Sequence, residues 1–489
     1  MFADFNQTEQ SMFIGRKKEL KLLEDAYSSN KSCLAVIYGR RRIGKSSLVK
    51  QFSLDKPYYF SFEAVENEDT EGQIEHFTSL LKKQVNDSSL SSIKFKNWRD
   101  VFTYLTDKLI KRRSKKKLII FLDEFQWMAA GRNKLVSLVK YFWDNLWKDN
   151  NVMLILCGSV ASFMVKKVLT SKSLYGRINL EILLGGLLPY EASQLFMNKR
   201  SSEEILKYLL LFGGVPKYLE EIDLDRSFNG NVNKLCFRKN SLMLNEINRV
   251  FYSQFRKTKI YLRIVKLLET GIYSMNEISR KLGIASGGGL KDYLKNLELA
   301  EIIHSYVPYD KSIRTKFRKY TLSDEFLIFY FKFMEPNLRT IVESSSQRLF
   351  EAFSRDNFDI WAGFAFERFC VKHAAYLSTL MGFEDEVLTA SPHFERESRQ
   401  FQIDLLYKRM DNVVTVCEIK HQNKKISTAV IPGMEQRLNL LKVPRGYTVE
   451  KALISLYGPD KSLMDSGYFN HYVKLEDLLG LRHAVARDQ

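Results

Sequence analysis

A glycine-rich segment with a lysine and two hydroxyl groups follows a short apolar run near the start of the chain. The segment GRRRIGKSS at 39–47 lies between the strand-like run LAVIY and the helix-forming residues LVKQF. In a strand, loop and helix arrangement, glycines let backbone N–H groups approach phosphates, and the helix start adds partial positive charge. Lys45 then reaches the β- and γ-phosphates, and the Ser46 hydroxyl binds Mg²⁺. The residues predicted to contact ATP are Gly39, Arg42, Gly44, Lys45, Ser46 and Ser47.

Two acids end a second apolar run. The run LIIFL is followed directly by Asp123 and Glu124. Downstream of a phosphate loop, the first acid of such a pair holds Mg²⁺ indirectly and the second polarises the attacking water. Two solvated acids at a strand end are the alternative, but the position directly after an apolar strand favours the catalytic interpretation.

Two further residues have the chemistry to sense the phosphates. Ser159 ends the run VMLILCGS, where a strand-end hydroxyl can approach a γ-phosphate. Arg177, in the segment LYGR, can neutralise transition-state charge within one subunit or across an interface. Its spacing is equally compatible with a surface arginine.

The segments FIGRKKELKLLE, GRRRIGKSS, FLDEFQW, CGS, LYGR and GGVPKYL together resemble the prokaryotic, largely archaeal, ATPase family in the STAND branch of the AAA+ class. The resemblance covers about half of the chain. It implies that the Gly15-Arg16 segment and the GGxP motif flank the nucleotide base, so that Arg16 and Pro216 bind the nucleotide. It also implies a phosphate-sensing or finger role for Arg177. Members of the STAND branch are switches whose ATP state controls assembly, which implies a homo-oligomer.

A second set of residues with chemical potential lies near the end of the chain. Glu367 is on a predicted helix, Asp404 is in the strand-like run FQIDLL, and Glu418 and Lys420 are in the run VCEIK. Side chains repeat every second residue along a strand, so Glu418 and Lys420 share a face. A hairpin would bring Asp404 beside them. We predict that Asp404 and Glu418 bind Mg²⁺, that Lys420 orients the attacking water, and that Glu367 completes the site.

This ordered set resembles the PD-(D/E)xK nuclease superfamily, as found fused to ATPases of this kind, over roughly the last quarter of the chain. The resemblance implies Mg²⁺-dependent cleavage of DNA phosphodiesters, and Gln436 resembles the superfamily's auxiliary glutamine. Ile403 stands where the superfamily often has a proline before the first acid. An inactive binding domain of the same fold is the alternative.

The segment from about residue 253 to 335 predicts a winged helix-turn-helix. Two helical runs flank the Gly-rich turn IASGGG and precede two strand-like pieces, HSYVPYD and RTKFRKYTLSD. The predicted wing carries Lys311, Arg314, Lys316, Arg318 and Lys319. Such a wing can lie along DNA phosphates. The second helix also carries Asp292 and Glu298, so a protein partner is an equal alternative to DNA.

Composition limits the class of protein. The net charge is +18 over 489 residues, which favours polyanionic partners and nucleic acid first. The five cysteines are scattered singly, which favours a reducing compartment. No signal pattern begins the sequence, and no stretch reaches the roughly 18 apolar residues of a membrane span. The sequence therefore predicts a cytoplasmic protein without a membrane partner.

The chain is predicted to be an α/β protein of several domains. The predicted domains are a P-loop ATPase core with an AAA+-like parallel sheet at 1–188, a helical lid at 189–252, the winged helix at 253–335 and an α/β restriction-endonuclease-like domain at 336–489. Our first hypothesis is an ATP-hydrolysing DNA nuclease whose nucleotide state controls assembly or DNA processing. A non-cleaving regulatory ATPase switch with a degenerate nuclease fold and a DNA-binding transcriptional regulator are the rival hypotheses.

Overall fold

The computed structural model describes residues 13–85, 90, 93–111, 116–129, 134–196, 199–255, 257–309, 311, 317–395 and 401–481. The chain divides into two compact units, Met1–Gly185 and Gly186–Gln489, here called the N-terminal and C-terminal units. No helix in these ranges combines the length and hydropathy that a membrane span requires.

A parallel sheet forms the centre of the N-terminal unit. Its described strands are β1 (Cys33–Tyr38), β2 (Tyr59–Glu63), β3 (Leu118–Asp123), β4 (Val152–Gly158) and β5 (Leu180–Leu183). The spatial order is β2-β3-β4-β1-β5, and every pairing is parallel. β1, β3 and β4 are buried at every position, as expected for apolar runs in the middle of a covered parallel sheet. The apolar runs LAVIY, YYFSF, LIIFL and VMLILCGS each predict a strand, and they are confirmed as β1, β2, β3 and β4.

The sequence pattern does not predict β5. This strand has four residues, and only Ile182 is buried. A short edge strand with one buried side chain has too little periodicity to be recognised from sequence.

Helices cover both faces of this sheet. The described helices of the N-terminal unit are α1 (Lys17–Ser28), α2 (Lys45–Ser53), α3 (Thr70–Val85), α4 (Trp98–Tyr104), α5 (Phe125–Met128), α6 (Leu135–Phe142) and α7 (Ala161–Phe163). Leu23 of α1 and Leu48 of α2 pack in one cluster with the Ile37 side of the sheet. On the opposite side, Phe62 of β2 contacts Phe77 of α3 with ring centroids 4.8 Å apart. The π-helical segments Leu105–Ile110, Trp143–Trp147 and Met164–Leu169 continue α4, α6 and α7.

A buried lysine holds the end of α1. The ammonium group of Lys117 donates hydrogen bonds to the carbonyl oxygens of Ala26, Ser29 and Lys31. Lys117 is only 4% exposed, and burial lowers its pKa. Carbonyl groups at a helix C-terminus lack partners within the helix. A cation there is also stabilised by the partial negative charge at that end of the helix dipole. Lys117 therefore ties α1 to the start of β3.

The C-terminal unit begins with helices, as predicted for residues 189–252. They are α8 (Pro189–Ala192), α9 (Ser202–Phe212), α10 (Pro216–Leu219), α11 (Phe228–Cys236) and α12 (Glu246–Gln254), with a 3-10 turn at Ser193–Phe196. The Gly-Gly turn between α9 and α10 is sterically required. A Cβ atom on Gly213 would lie 2.5 Å from a carboxylate oxygen of Glu325, and one on Gly214 would overlap the carbonyl oxygen of Leu187.

The next elements have the order that the sequence predicts for a winged helix. They are α13 (Thr258–Glu269), β6 (Tyr273–Ser274), α14 (Met275–Leu282), α15 (Gly288–Leu299), β7 (Ile303–Tyr306) and β8 (Lys319–Leu322), with the strands in the antiparallel order β6-β8-β7. Lys319 pairs with Glu277 at 3.0 Å. Arg314 and Lys316 of the predicted wing lie outside the described residues. The winged-helix assignment and its function stay predictions.

A continuous apolar core extends through the C-terminal unit. The helices α16 (Glu325–Phe329), α17 (Leu338–Glu343) and α18 (Leu349–Ser354) follow β8, joined by a π-helical segment at Tyr330–Met334 and a 3-10 turn at Glu335–Asn337. The aromatic run from Phe326 to Phe333 is mostly buried, as expected for a core helix. One cluster of buried side chains reaches from Leu187 to Leu479. The predicted lid, winged-helix and nuclease-like segments therefore share one core.

A mixed sheet completes the C-terminal unit. Its strands are β9 (Val387–Glu395), β10 (Phe401–Arg409), β11 (Val413–Lys420), β12 (Thr448–Ser455) and β13 (His471–Lys474), in the order β13-β12-β11-β10-β9. β9, β10 and β11 are antiparallel, and β11, β12 and β13 are parallel. The helices are α19 (Phe358–Lys372), α20 (Ala374–Met381), α21 (Ile431–Leu440), α22 (Lys461–Asp465) and α23 (Leu475–Leu478), with 3-10 turns at Glu384–Glu386 and Thr428–Val430.

We predict that Lys117→Met lowers the free energy of unfolding of the N-terminal unit by about 1–3 kcal/mol, because buried carbonyl oxygens lose a charged donor. Urea unfolding monitored by tryptophan fluorescence reports mainly on this unit, since four of the five tryptophans lie in it. Lys18→Met, at an exposed position of α1, is the control and should change little. A K117M midpoint equal to that of the parent would contradict the capping role.

Candidate functional site

The phosphate loop has the backbone conformation that its glycines predict. Gly39 has φ 151° and Gly44, the residue before α2, has φ 85°. A Cβ atom on Gly39 would overlap the carbonyl oxygen of Leu184 and lie 2.8 Å from the Ile43 side chain. Arg42 also has a positive φ, 72°. The loop is therefore closely packed on the segment after β5, and only glycine fits at position 39.

Lys45 lies over this loop. Its ammonium group is buried and donates hydrogen bonds to the carbonyl oxygens of Gly39 at 3.2 Å and Arg40 at 2.8 Å. Lys45 is also the first residue of α2, where backbone N–H groups have no partner within the helix. Phosphate oxygens accept hydrogen bonds from an ammonium group and from N–H groups that have no partner within the helix. Lys45 and the start of α2 provide both, so these residues fit a nucleoside triphosphate.

The side chains of Ser46, on α2, and Asp123, at the end of β3, are hydrogen-bonded to each other. The Ser46 hydroxyl donates a hydrogen bond to one carboxylate oxygen of Asp123, and the other accepts from the backbone N–H of Glu124 at 2.9 Å. Asp123 is 3% exposed. A hydroxyl and a carboxylate are the hard oxygen ligands that Mg²⁺ prefers. This pair therefore fits the predicted Mg²⁺ position.

Glu124 and Ser159 are in direct contact. The Ser159 hydroxyl donates to a carboxylate oxygen of Glu124 at 2.7 Å, and Gln126 donates to the same oxygen. Gln126 also donates to the Ser159 hydroxyl at 3.2 Å. Gln126 is not among the predicted site residues, although its position two residues after the acid pair is a usable signal. A Cβ atom on Gly158 would lie 2.6 Å from Gln126, which explains the glycine before Ser159.

Arg16, at the start of α1, contacts the backbone of the phosphate loop. It has φ 60° at the start of α1, is 5% exposed, and donates hydrogen bonds to the carbonyl oxygens of Ile43 and Gly185. Its predicted contact with the nucleotide base stays a prediction. The observed contacts give Arg16 a positioning role.

Arg177 is held by an acid. Its guanidinium group donates to both carboxylate oxygens of Asp144, at 2.7 and 2.9 Å. These hydrogen bonds lower the pKa of Asp144. A finger role would require Arg177 to leave Asp144, and it stays a prediction. Pro216, the other residue implied by resemblance, is the first residue of α10 in the C-terminal unit.

The four predicted nuclease-site residues come together in the C-terminal unit. The register that pairs Leu405 with Cys417 brings Asp404 beside Glu418, and Asp404 accepts a hydrogen bond from the backbone N–H of Ile419 at 3.2 Å. The Lys420 ammonium lies 2.6 Å from one oxygen of Glu418. Glu367, on α19, is close enough for its charge to interact with those of Asp404, Lys420 and Glu418.

Burial raises the pKa of two of these acids, Glu367 and Asp404. Desolvation, and then the charge of Asp404, raise the pKa of Glu367 from 4.5 to about 7. Desolvation, and then the charge of Glu418, raise the pKa of Asp404. Crowded carboxylates in a poorly solvated site are stabilised by a cation. Within the residues described, no group of three His, Cys, Asp or Glu side chains is arranged to hold a metal ion, so the fit rests on Asp404 and Glu418.

Arg437 is a member of this site that the sequence analysis missed. Its guanidinium group donates to the second carboxylate oxygen of Glu418. The predicted auxiliary residue, Gln436, is exposed on the same helix. Met434 is fully buried and marks the inward face of α21, and the residue three positions later lies on that face. This spacing would have indicated Arg437.

A parallel sheet with a phosphate loop after β1 and an acid at the end of β3 defines a P-loop ATPase-type domain. The family described as an ATPase domain predominantly from Archaea matches residues 13–222. An uncharacterised protein of Methanocaldococcus jannaschii is 31% identical over 358 residues, which cover 73% of this chain and 76% of that protein. The chain therefore belongs to this archaeal-type ATPase family.

One further relative and one solved structure are also similar to this chain. An uncharacterised ATP-binding protein of M. jannaschii is 25% identical over 305 residues, 53% of this chain and 83% of that protein. A solved structure, a Walker-type ATPase of Pyrococcus abyssi, is 21% identical and has a TM-score of 0.48, covering 65% of this chain and 95% of that one.

We predict that Glu124→Gln lowers the rate of ATP hydrolysis about 10²-fold or more, because the amide cannot accept a proton from the attacking water. Affinity for ATP should be preserved, since Glu124 is not predicted to bind phosphate. Phosphate release and binding of a fluorescent ATP analogue measure the two effects. Glu75→Gln, at an exposed position of α3, is the matched control. Hydrolysis by E124Q at the parent rate would contradict the assigned role.

The raised pKa of Glu367 predicts a pH-dependent stability. The folded state binds this proton more tightly than the unfolded state, so the stabilisation is complete below about pH 4.5 and is lost as pH rises through about 7. Glu367→Gln mimics the protonated form. In EDTA, we expect E367Q and the parent to melt alike at pH 5 and E367Q to melt higher at pH 8. Glu384→Gln, an exposed acid of the same unit, should show no such difference. Parallel pH profiles for E367Q and the parent would contradict the burial of this carboxyl.

Proposed function

We propose that this protein is an ATP-hydrolysing switch whose C-terminal unit cleaves DNA phosphodiester bonds with a divalent cation. The convergence of Asp404, Glu418 and Lys420 on one hairpin, beside Glu367, is the observation that carries this proposal. Two carboxylates and a lysine on adjacent strands can hold a divalent cation, a water molecule and a phosphate group close to one another.

At the N-terminal site, each residue has a defined task. Lys45 neutralises charge on the β- and γ-phosphates, and Ser46 and Asp123 would hold a Mg²⁺ that would neutralise further phosphate charge. Glu124 accepts the proton of the attacking water. Its hydrogen bond from Ser159 fixes the carboxylate near the end of β4, where the hydroxyl can respond to the presence of a γ-phosphate.

At the C-terminal site, Asp404 and Glu418 would hold the divalent cation. When bound, that cation polarises the scissile phosphate and lowers the pKa of a coordinated water molecule. Lys420 orients the attacking water and stabilises the developing negative charge. Glu367 has a pKa near neutrality, so it can hold or release a proton beside the site.

DNA is the proposed partner for reasons of charge. The net charge of +18 attracts polyanions, and the helices and strands from Thr258 to Leu322 follow the order of a winged helix. We further propose a cytoplasmic homo-oligomer whose assembly depends on bound nucleotide, as in the STAND branch. A protein partner at the winged-helix segment is the alternative to DNA.

A non-cleaving switch is the second candidate, and one observation favours it. Both carboxylate oxygens of Glu418 are bound by cationic side chains, Lys420 and Arg437. A site in which these ion pairs persist would be structural. Such a protein would still hydrolyse ATP and bind nucleic acid or a protein.

Cleavage of single-stranded and duplex DNA in Mg²⁺ or Mn²⁺, with and without ATP, distinguishes the two candidates. We expect Glu418→Gln and Lys420→Met to lower cleavage about 10²-fold or more, since a bound metal contributes several kcal/mol to the transition state. Both variants should hydrolyse ATP at the parent rate. Glu384→Gln and Lys424→Met are matched controls at exposed positions.

Equal cleavage by E418Q and the parent would overturn the nuclease proposal. Failure of the parent to cut any DNA under all these conditions, with ATP hydrolysis intact, would favour the non-cleaving switch.

A further inference from the structure

Glu418 is buried, and a different cation binds each of its carboxylate oxygens. Its side chain is only 4% exposed. The Lys420 ammonium lies 2.6 Å from Oε1, and the Arg437 guanidinium group donates to Oε2. A buried carboxylate is strongly destabilising without such partners. These ion pairs therefore satisfy Glu418 with side chains of the protein itself.

The two cations differ in how they reach Glu418. Lys420 is two residues away on the same strand, so the pleat holds it beside Glu418. Arg437 comes from α21, a separate element that is fixed by Met434 in the core and by a hydrogen bond from Tyr468 to Glu435. The Arg437 side chain is 26% exposed. It can therefore swing towards solvent without moving the sheet or the helix.

Arg437 also interacts with the other predicted metal ligand, because its positive charge is close enough to attract the Asp404 carboxylate. With all side chains ionised, the cluster has three carboxylates, Glu367, Asp404 and Glu418, and two cations, Lys420 and Arg437. A divalent cation between Asp404 and Glu418 would share Glu418 with two positive groups. Like charges at such short range in a poorly solvated site repel strongly.

We propose that Arg437 competes with the divalent cation for Oε2 of Glu418 and leaves that oxygen when the cation binds. This inference rests on the proposed metal site. Arg437 is a positioning residue in this scheme: it stabilises Glu418 before the cation binds and lowers the affinity of the site for the cation. Loading of the site is thereby limited to conditions in which the cation displaces the guanidinium group.

Isothermal titration of the full chain with Mn²⁺ and Mg²⁺, without nucleotide, tests the competition. Glu418→Gln removes the C-terminal ligand, so the heat that it abolishes belongs to this site. We expect Arg437→Met to bind the cation about tenfold more tightly than the parent, as expected when a charge-assisted hydrogen bond no longer competes. Arg445→Met removes the same charge from an exposed position in the segment between α21 and β12 and should bind like the parent.

Thermal unfolding provides a second measurement. Without the cation, the substitution of Arg437 is expected to lower stability, although it strengthens cation binding. In EDTA, R437M should melt below the parent, because Glu418 keeps a buried oxygen without a partner. Saturating Mn²⁺ should then raise the melting temperature of R437M by more than that of the parent. If R437M does not unfold cooperatively, Arg437→Gln replaces it, and tighter cation binding than in the parent is again expected because the amide carries no charge.

Cation binding by R437M that equals or falls below that of the parent overturns this inference and leaves the proposed metal site intact. If neither the parent nor R437M shows any cation binding that depends on Glu418, both the proposed metal site and the inference are overturned.

Discussion

The parallel pairing of β1, β3 and β4 brings the ends of all three strands to one edge of the sheet, and the nucleotide site depends on this constraint. The phosphate loop follows β1, Asp123 ends β3, and Ser159 follows β4. The hydrogen bond from Ser46 to Asp123 therefore joins residues 77 positions apart in the chain. Gly39 permits this arrangement, because any side chain there would meet the segment after β5.

The C-terminal site solves a different physical problem. Its antiparallel hairpin places Asp404 beside Glu418, and α19 adds a third acid, Glu367, in a region where carboxylates are poorly solvated. Such a cluster needs positive charge close by. Lys420 and Arg437 provide it from the protein, and a divalent cation would provide it more strongly. In the proposed function, the balance between these sources of charge decides whether the divalent cation binds.

The sequence was most informative where one element contains the whole signal. The runs of β1, β2, β3 and β4 are apolar and bounded by turns or charges, so their strand character followed directly. β5 has a single buried residue and gave no comparable signal. Likewise, the face shared by Glu418 and Lys420 followed from strand periodicity, whereas the choice of Arg437 over Gln436 depended on where α21 begins and which face it buries.

The sequence by itself determined the phosphate loop, the acid pair after β3 and the face shared by Glu418 and Lys420, because each depends on residue types within a few positions of one another. Only the tertiary structure decided the partners of long side chains. Arg16 binds the backbone carbonyl oxygens of Ile43 in the loop and of Gly185, Arg177 binds Asp144, and Arg437 binds Glu418. A long arginine side chain can reach several hydrogen-bond acceptors with similar energy. The acceptor that it binds depends on how elements that are distant in the sequence pack together.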